Sequence, residues 1–268
     1  MLTSADAADG ANFLTTEIRE AANRRLADGV GLVEEYRLLH NMLSSQPMCF
    51  NLFAPMATDL DLATSVFGAL LPDGVKSVTM VTFEHAPEPA SDYLNDRTAF
   101  DCYVEYVRQD GGRAFAGIET KLTEPFSPKR YDGPAYRRWV ERPDSPWPEE
   151  SWESLAEVSH NQLWRDHLLA VAMLLRDGSP YKFGCLVLAR HPGDEECERV
   201  VERYERLMRK DDRMFVDCPV DRIVDAVEAN ADDSQKRWIA EFRQRYLDLS
   251  LSEEAWRRSQ GGRGRSRA

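Results

Sequence analysis

Two carboxylates and a lysine stand out in the middle third of the chain: Asp101, then Glu119 and Lys121 with Thr120 between them. Successive side chains of a strand point to opposite faces, so Glu119 and Lys121 share one face and Thr120 takes the other. Asp101 lies on the preceding extended segment, and Asp110-Gly111-Gly112 is a turn sequence between the two. If the segments pair through that turn, Asp101 comes beside Glu119, because the strands begin and end at matching distances from it. Two hard carboxylates can hold a magnesium ion that keeps several waters and takes phosphate oxygens as further ligands. A lysine beside them can orient or help deprotonate an attacking water and offset transition-state charge. The ion polarises the phosphoryl group and lowers the pKa of its bound water. The expected chemistry is therefore phosphodiester hydrolysis, with Asp101, Glu119 and Lys121 catalytic, Asp101 and Glu119 holding Mg2+, and Mn2+ able to substitute. The bland reading is a cross-strand ion pair on an exposed face. Phe100, Cys102, Gly117 and Ile118 speak instead for buried strands, where unpaired charge is costly.

The elements that must position these residues follow from periodicity. Residues 75–83, 98–107 and 113–122 read as three strands joined by short or moderate loops, an antiparallel meander. Before them, apolar residues recur at helical spacing over about 15–43, interrupted at Asp28-Gly29, with Leu32, Tyr36, Leu39 and Leu43 as the buried stripe of the second part. Ser44-Ser45-Gln46-Pro47 is expected to end that helix, since a residue before proline disfavours helical dihedrals. Another helix spans about 59–70, ending at Pro72-Asp73-Gly74. Residues 124–150 carry Pro125, Pro128, Pro134, Pro143, Pro146 and Pro148 and read as an irregular surface insertion with room for one helical turn. A strong helix is expected over 152–175, with Leu163, His167, Ala170 and Leu174 on one side, then a strand over 182–189 buried on both faces. A helix capped by Asp194, a short strand at 214–216 and two helices to about 249 follow. This order describes an α/β fold, a mixed β-sheet flanked by helices. It forms a single domain over 15–250, between a flexible N-terminus (1–14) and a basic flexible tail (251–268).

A chain of 268 residues is long enough to bury a core without staples, and 43% hydrophobic with 30% charged residues is ordinary for a soluble protein. The cysteines, Cys49, Cys102, Cys185, Cys197 and Cys218, are odd in number and far apart, with no histidine at zinc-ligand spacing. Free thiols in a reducing cytoplasm are expected. The opening MLTSADAADGANF lacks a signal-peptide layout, and no apolar run reaches membrane-spanning length, so no membrane partner is expected. The formal net charge of -12 argues against indiscriminate binding to polyanions. Locally the balance reverses: Arg113, Lys121, Lys129, Arg130, Arg137 and Arg138 outnumber Glu119, Glu124 and Asp132, and the terminal RRSQGGRGRSRA is basic.

The run Thr98-Ala99-Phe100-Asp101 with Gly117-Ile118-Glu119-Thr120-Lys121 resembles the PD-(D/E)xK nuclease superfamily, whose core is a helix, three strands, a helix and a strand. More narrowly, these runs together with Asn41-Met42-Leu43-Ser44-Ser45-Gln46, Phe83-Glu84, Asp96-Arg97 and Gln162-Leu163-Trp164-Arg165-Asp166-His167 resemble a bacterial family of restriction endonuclease-like proteins, over about residues 34–215. Phe100 stands where the superfamily label has proline. His85-Ala86-Pro87-Glu88-Pro89 stands where that family has a Pro-Gly-Arg segment. The resemblance implies a restriction endonuclease-like core with a C-terminal helical extension and a metal-dependent endonuclease acting on DNA in restriction, defence or DNA processing. It makes Gln162 a support of the site and Arg165 a phosphate contact. Glu84 becomes a candidate third metal ligand, and Glu35, on the first core helix, a candidate support. Ser45 and Gln46 offer groups to a phosphate or base, although they and Ser44 could as well cap a helix end. His167 reads as a core residue. A homodimer would suit cleavage of both strands of a duplex. The alternative from another class is a catalytically silent module that binds nucleic acid or protein on the same fold. A third reading, hydrolysis of a small phosphate compound, has no Gly-rich phosphate loop behind it.

Overall fold

The computed structural model describes residues 1–29 and 33–263 of the chain. Five helices precede the sheet: α1 (Ser4–Ala8), α2 (Thr16–Asp28), α3 (Glu35–His40), α4 (Ser45–Thr58) and α5 (Leu60–Leu70). The strands β1 (Val75–His85), β2 (Phe100–Arg108) and β3 (Arg113–Lys121) follow, then α6 (Pro134–Val140), α7 (Trp152–Leu155) and α8 (Asn161–Leu175). The chain continues through β4 (Tyr181–Arg190), α9 (Glu195–Glu205) and β5 (Phe215–Pro219) to α10 (Val220–Asn230), α11 (Asp233–Tyr246) and α12 (Ser250–Arg263).

The strands form one sheet in the order β1-β2-β3-β4-β5. β1, β2 and β3 make the expected antiparallel meander, and β4 and β5 add in parallel to β3 and to β4. The turn between β2 and β3 works as its sequence implies: Gly111 takes φ +87 and the Gly112 amide donates to Asp110 Oδ1 at 2.9 Å. Alternation along β3 sorts its side chains. Ala114, Ala116 and Ile118 join a core with α2, α4, α5, α10 and α11, whereas Phe115 joins a second core with α6, α8 and α9. Burial of both faces makes β3 and β4 the centre of the molecule, and removal of this apolar surface from water is the main drive to fold. Gly117 lets the backbone pass under an aromatic ring, since a Cβ there would lie 2.4 Å from Phe100.

Several expectations give way. The stripe on the second helix holds only at Leu39, which packs half-buried against the core: α3 turns Leu38 inward, and Tyr36 and Leu43 are 57% and 65% exposed, while Leu32 lies outside the described residues. The reason is a change of phase, because extended Asn41 ends α3 after six residues. Ser44-Ser45-Gln46-Pro47 begins a helix instead of ending one. Ser44 Oγ caps α4 by accepting from the Gln46 amide, and Pro47 sits in the first turn, where its missing N–H is tolerated. The expected helix over 152–175 is two, α7 and α8, broken at residues 156–160, and Asn161 is pinned by the Tyr131 backbone. The proline-rich segment is more than a surface insertion, since Tyr136, Trp139, Val140 and Trp147 are buried in the second core, with Tyr136 against Trp164 and Trp147 against His167 of α8. At the ends, α1 and buried Asn12 and Phe13 occupy the stretch read as flexible, and α12 runs to Arg263 within the stretch read as tail; residues 264–268 lie outside the described residues. Among the described residues, no helix is long and apolar enough to cross a membrane.

Candidate active site

The antiparallel registers line up three acids. Cys102 faces Ile118 across β2 and β3, so Asp101 falls beside Glu119; Phe83 faces Cys102 and His85 faces Phe100, so Glu84 falls opposite Asp101. Glu84, Glu119 and Lys121 are buried. Asp101 leans past the ladder to Thr120, whose amide and hydroxyl both donate to its Oδ2, at 2.7 and 2.6 Å. Thr120 points to the opposite face from Glu119, toward α4, where its Oγ1 lies 3.4 Å from the Ser45 carbonyl.

Glu119 and Lys121 face α8, as their spacing predicts. Lys121 Nζ stands 3.2 Å from Glu119 Oε1 and donates at 3.2 Å to Gln162 Oε1. The Gln162 amide closes the triangle, its Nε2 donating to Glu119 Oε1 at 2.8 Å, and its Oε1 also accepts from the Ser127 amide at 2.8 Å. Phe126 lies under the ammonium at 5.0 Å, covering it from water. The protein thus grips Asp101 by Oδ2 and Glu119 by Oε1.

The electrostatics follow from burial. Desolvation pushes the Glu119 carboxyl well above its ordinary range, with repulsion from Asp101 and Asp166 added and Lys121 opposing. Desolvation raises Asp101 too, against the two donors of Thr120 and the charge of Lys121. For Lys121 burial works against the ammonium, but Glu119, Asp101 and Asp166 outweigh it and its pKa rises. Buried acids that repel one another are costly to ionise together, and such clustering is a pattern of candidate functional sites.

Gln162 and Ser45 join this neighbourhood, and Glu84 stands at its edge. The Cys49 thiol, pushed up chiefly by burial, feels Asp101, Glu84 and Glu119 together. Glu84 has φ 49, a left-handed conformation strained for a residue with a Cβ, and its carbonyl accepts from Arg25 Nη2 at 2.7 Å. Gln46 lies half-buried in the first turn of α4. Glu35 is exposed on α3 and is not brought in, and Glu34 caps that helix by accepting from the Tyr36 and Arg37 amides. Arg165 sits in the protein, its guanidinium 4.4 Å over Tyr131 and 3.9 Å from Asp166. His167 is a core residue, its Nδ1 2.8 Å from Tyr204 Oη.

Three participants escape a reading of the sequence alone. Thr120 holds Asp101, but alternation only sets it aside from Glu119. Asp166 follows Gln162 by one helical turn, is buried, and is raised to about 7, first by desolvation and against Arg165 and Lys121. That i, i+4 spacing is the signal that could have found it. Glu124 accepts from the Ser45 amide at 2.7 Å, and no local pattern foretells a partner 79 positions away.

Among the described residues, no three His, Cys, Asp or Glu side chains come together as a ready-made metal cluster. The donor set nonetheless fits magnesium, which commonly uses one or two carboxylates and fills its remaining positions with water and substrate phosphate. The structure is a mixed sheet flanked by helices, with Asp101 on one strand and Glu119-Thr120-Lys121 on the next. The PD-(D/E)XK nuclease superfamily model matches residues 1–248, and the chain belongs to that superfamily of nucleases. Divalent metals and nucleic-acid substrates are typical of it. Comparison with curated proteins and with solved structures gave no match.

Proposed function

We propose that the chain is a Mg2+-dependent endonuclease that hydrolyses phosphodiester bonds in DNA. The observation that carries this reading is the triangle of buried Glu119 and Lys121 with half-buried Gln162, beside Asp101. Asp101 and Glu119 hold the ion, and Glu84 is a third ligand or an acceptor for a coordinated water. When bound, the ion polarises the scissile phosphoryl group and acidifies a water. Lys121 keeps its proton, because the acids around it raise its pKa, and so acts by orienting the attacking water and offsetting charge on the phosphoryl oxygens. Gln162 fixes the ammonium and carboxylate in one plane of hydrogen bonds. Lys129, Arg130, Arg137 and Arg138 are exposed on the segment leaving β3 and are the basic groups offered to a polyanion despite the overall charge of -12, with Arg130 paired to Asp132 and Arg137 to Glu141 in the free protein.

The test is cleavage of supercoiled plasmid, linear duplex, single-stranded DNA and RNA with Mg2+ or Mn2+. Asp101→Ala and Lys121→Ala should abolish cutting. Gln162→Leu should lower it by about 10- to 100-fold, as loss of a group that orients metal ligands commonly does. Cutting that survives the first two substitutions would place the chemistry elsewhere. Binding of nucleic acid without cutting would favour the silent module, and preference for RNA would correct the substrate. Sedimentation of the active species on duplex DNA decides whether a homodimer acts.

A further inference from the structure

Glu124 carries no chemical role so far, yet its carboxylate is held from several sides. Its Oε1 accepts from the Ser45 amide at 2.7 Å, from Ser45 Oγ at 3.1 Å and from Arg37 Nη2 at 2.9 Å. Its Oε2 meets the amides of Leu122 and Thr123 at 3.4 and 3.3 Å. Burial opposes its ionisation, but these amides hold its pKa below the usual carboxylate range. An anion at the first turn of a helix also meets the positive end of the helix dipole. Glu124 therefore clips the start of α4 to the chain leaving β3.

That clip leads to the site. The residue it holds, Ser45, presents its carbonyl 3.4 Å from Thr120 Oγ1, the same hydroxyl that donates to Asp101. The single Thr120 hydroxyl proton goes to Asp101 Oδ2 at 2.6 Å, beside the 2.7 Å bond from the Thr120 amide. With α4 seated, Thr120 Oγ1 touches both the Ser45 carbonyl and Asp101 Oδ2, and Asp101 is held by one oxygen. With α4 released, Thr120 can turn and Asp101 loses the shorter of its two bonds.

We infer that Glu124 is a positioning residue for the metal-binding carboxylate Asp101, acting through Ser45 and Thr120. This rests on the proposed metal site. Divalent-ion affinity depends on ligand carboxylates being oriented before the ion arrives, and outer partners of such ligands commonly carry about 10- to 100-fold in affinity.

The experiment is calorimetric titration of Mn2+ into the full chain without nucleic acid, with thermal unfolding in parallel. Wild type should bind and Asp101→Ala should not; a wild type that takes up no Mn2+ sinks the metal-site reading and this inference with it. Given that pair, Glu124→Ala should weaken Mn2+ binding about tenfold in folded protein, with Glu124→Gln, which keeps one acceptor for Ser45, falling between. Glu124→Ala binding Mn2+ as tightly as wild type overturns the role of Glu124 alone. The charge of Glu124 also acts on Asp101 through space, so a Thr120→Val background separates the two routes. There, Glu124→Ala should weaken binding by less than about twofold further, the usual scatter of independent sites. A full tenfold loss in that background refutes the path through Thr120. If Glu124→Ala does not fold, Glu124→Gln decides the same question by its smaller loss, and wild-type affinity in it overturns the role of Glu124.

Discussion

At the residue scale, the candidate site is a set of buried or half-buried charges held by named hydrogen-bond and ion-pair partners, and the same physics marks a residue that takes no part in it. His167 is buried, and desolvation lowers its pKa from 6.5 to about 3. The unfolded chain then binds more protons than the folded one between those values, so stability is complete above pH 6.5 and lost as pH falls toward 3. The part due to this ring is about 2 kcal/mol near pH 5. Urea unfolding at pH 7 and near pH 5 should show that the acid-induced loss shrinks by about this amount in His167→Phe. An unchanged difference between the two pH values would show that another group carries the acid sensitivity. Lys121 is the counterexample: burial also opposes its charge, but three nearby acids reverse the direction.

At the element scale, the close approach of β2 and β3 sets the positions of Asp101 and Glu119. Phe100 lies over Gly117, and its ring is part of an aromatic row with Tyr103 and Phe115. Gly117→Ala would put a Cβ 2.4 Å from that ring, a clash that only a shift of the strand or the ring can relieve. The expected cost is about 1–3 kcal/mol, as for other overpacked cores. A thermal melt checks it, and adding Phe100→Leu should restore part of the loss. If Gly117→Ala melts with wild type, the two strands are less tightly packed than this geometry implies.

At the scale of the whole molecule, Asn51 ties both ends of the chain to α4. Its Oδ1 accepts from the Leu14 amide at 2.9 Å, and its Nδ2 donates to the Asn12 carbonyl at 2.9 Å and to Tyr246 Oη at 2.8 Å. Its own carbonyl accepts from Trp238 Nε1 at 2.7 Å. Asn51→Ala leaves a buried amide, carbonyl and phenol without their partner and should cost about 3 kcal/mol. A drop in the urea midpoint with faster hydrogen exchange at Leu14 is the expected signature. Wild-type exchange at that amide would falsify the claim that this side chain secures the N-terminal segment.

Much of the fold and the placing of the candidate site residues is legible in the amino-acid sequence. Alternation in β1, β2 and β3, the Asp110-Gly111-Gly112 turn and the apolar run of β4 are local signals, and local rules settle them. Because pairing through a short turn also fixes register, the placing of Asp101 beside Glu119 is legible too, and the family resemblance brings Gln162 near both. Tertiary structure alone decided which way Ser44-Ser45-Gln46-Pro47 turns, since a proline is tolerated in a first helical turn and disfavoured further in, and sequence spacing does not say which turn it occupies. It also decided the inward face of α3, the burial of the proline-rich segment and the capture of Ser45 by Glu124. Those outcomes depend on partners tens of residues away, whose contacts form only when the whole chain has closed. Residue spacing thus determined what chemistry the strands could carry, and long-range packing determined which side chains hold it in place.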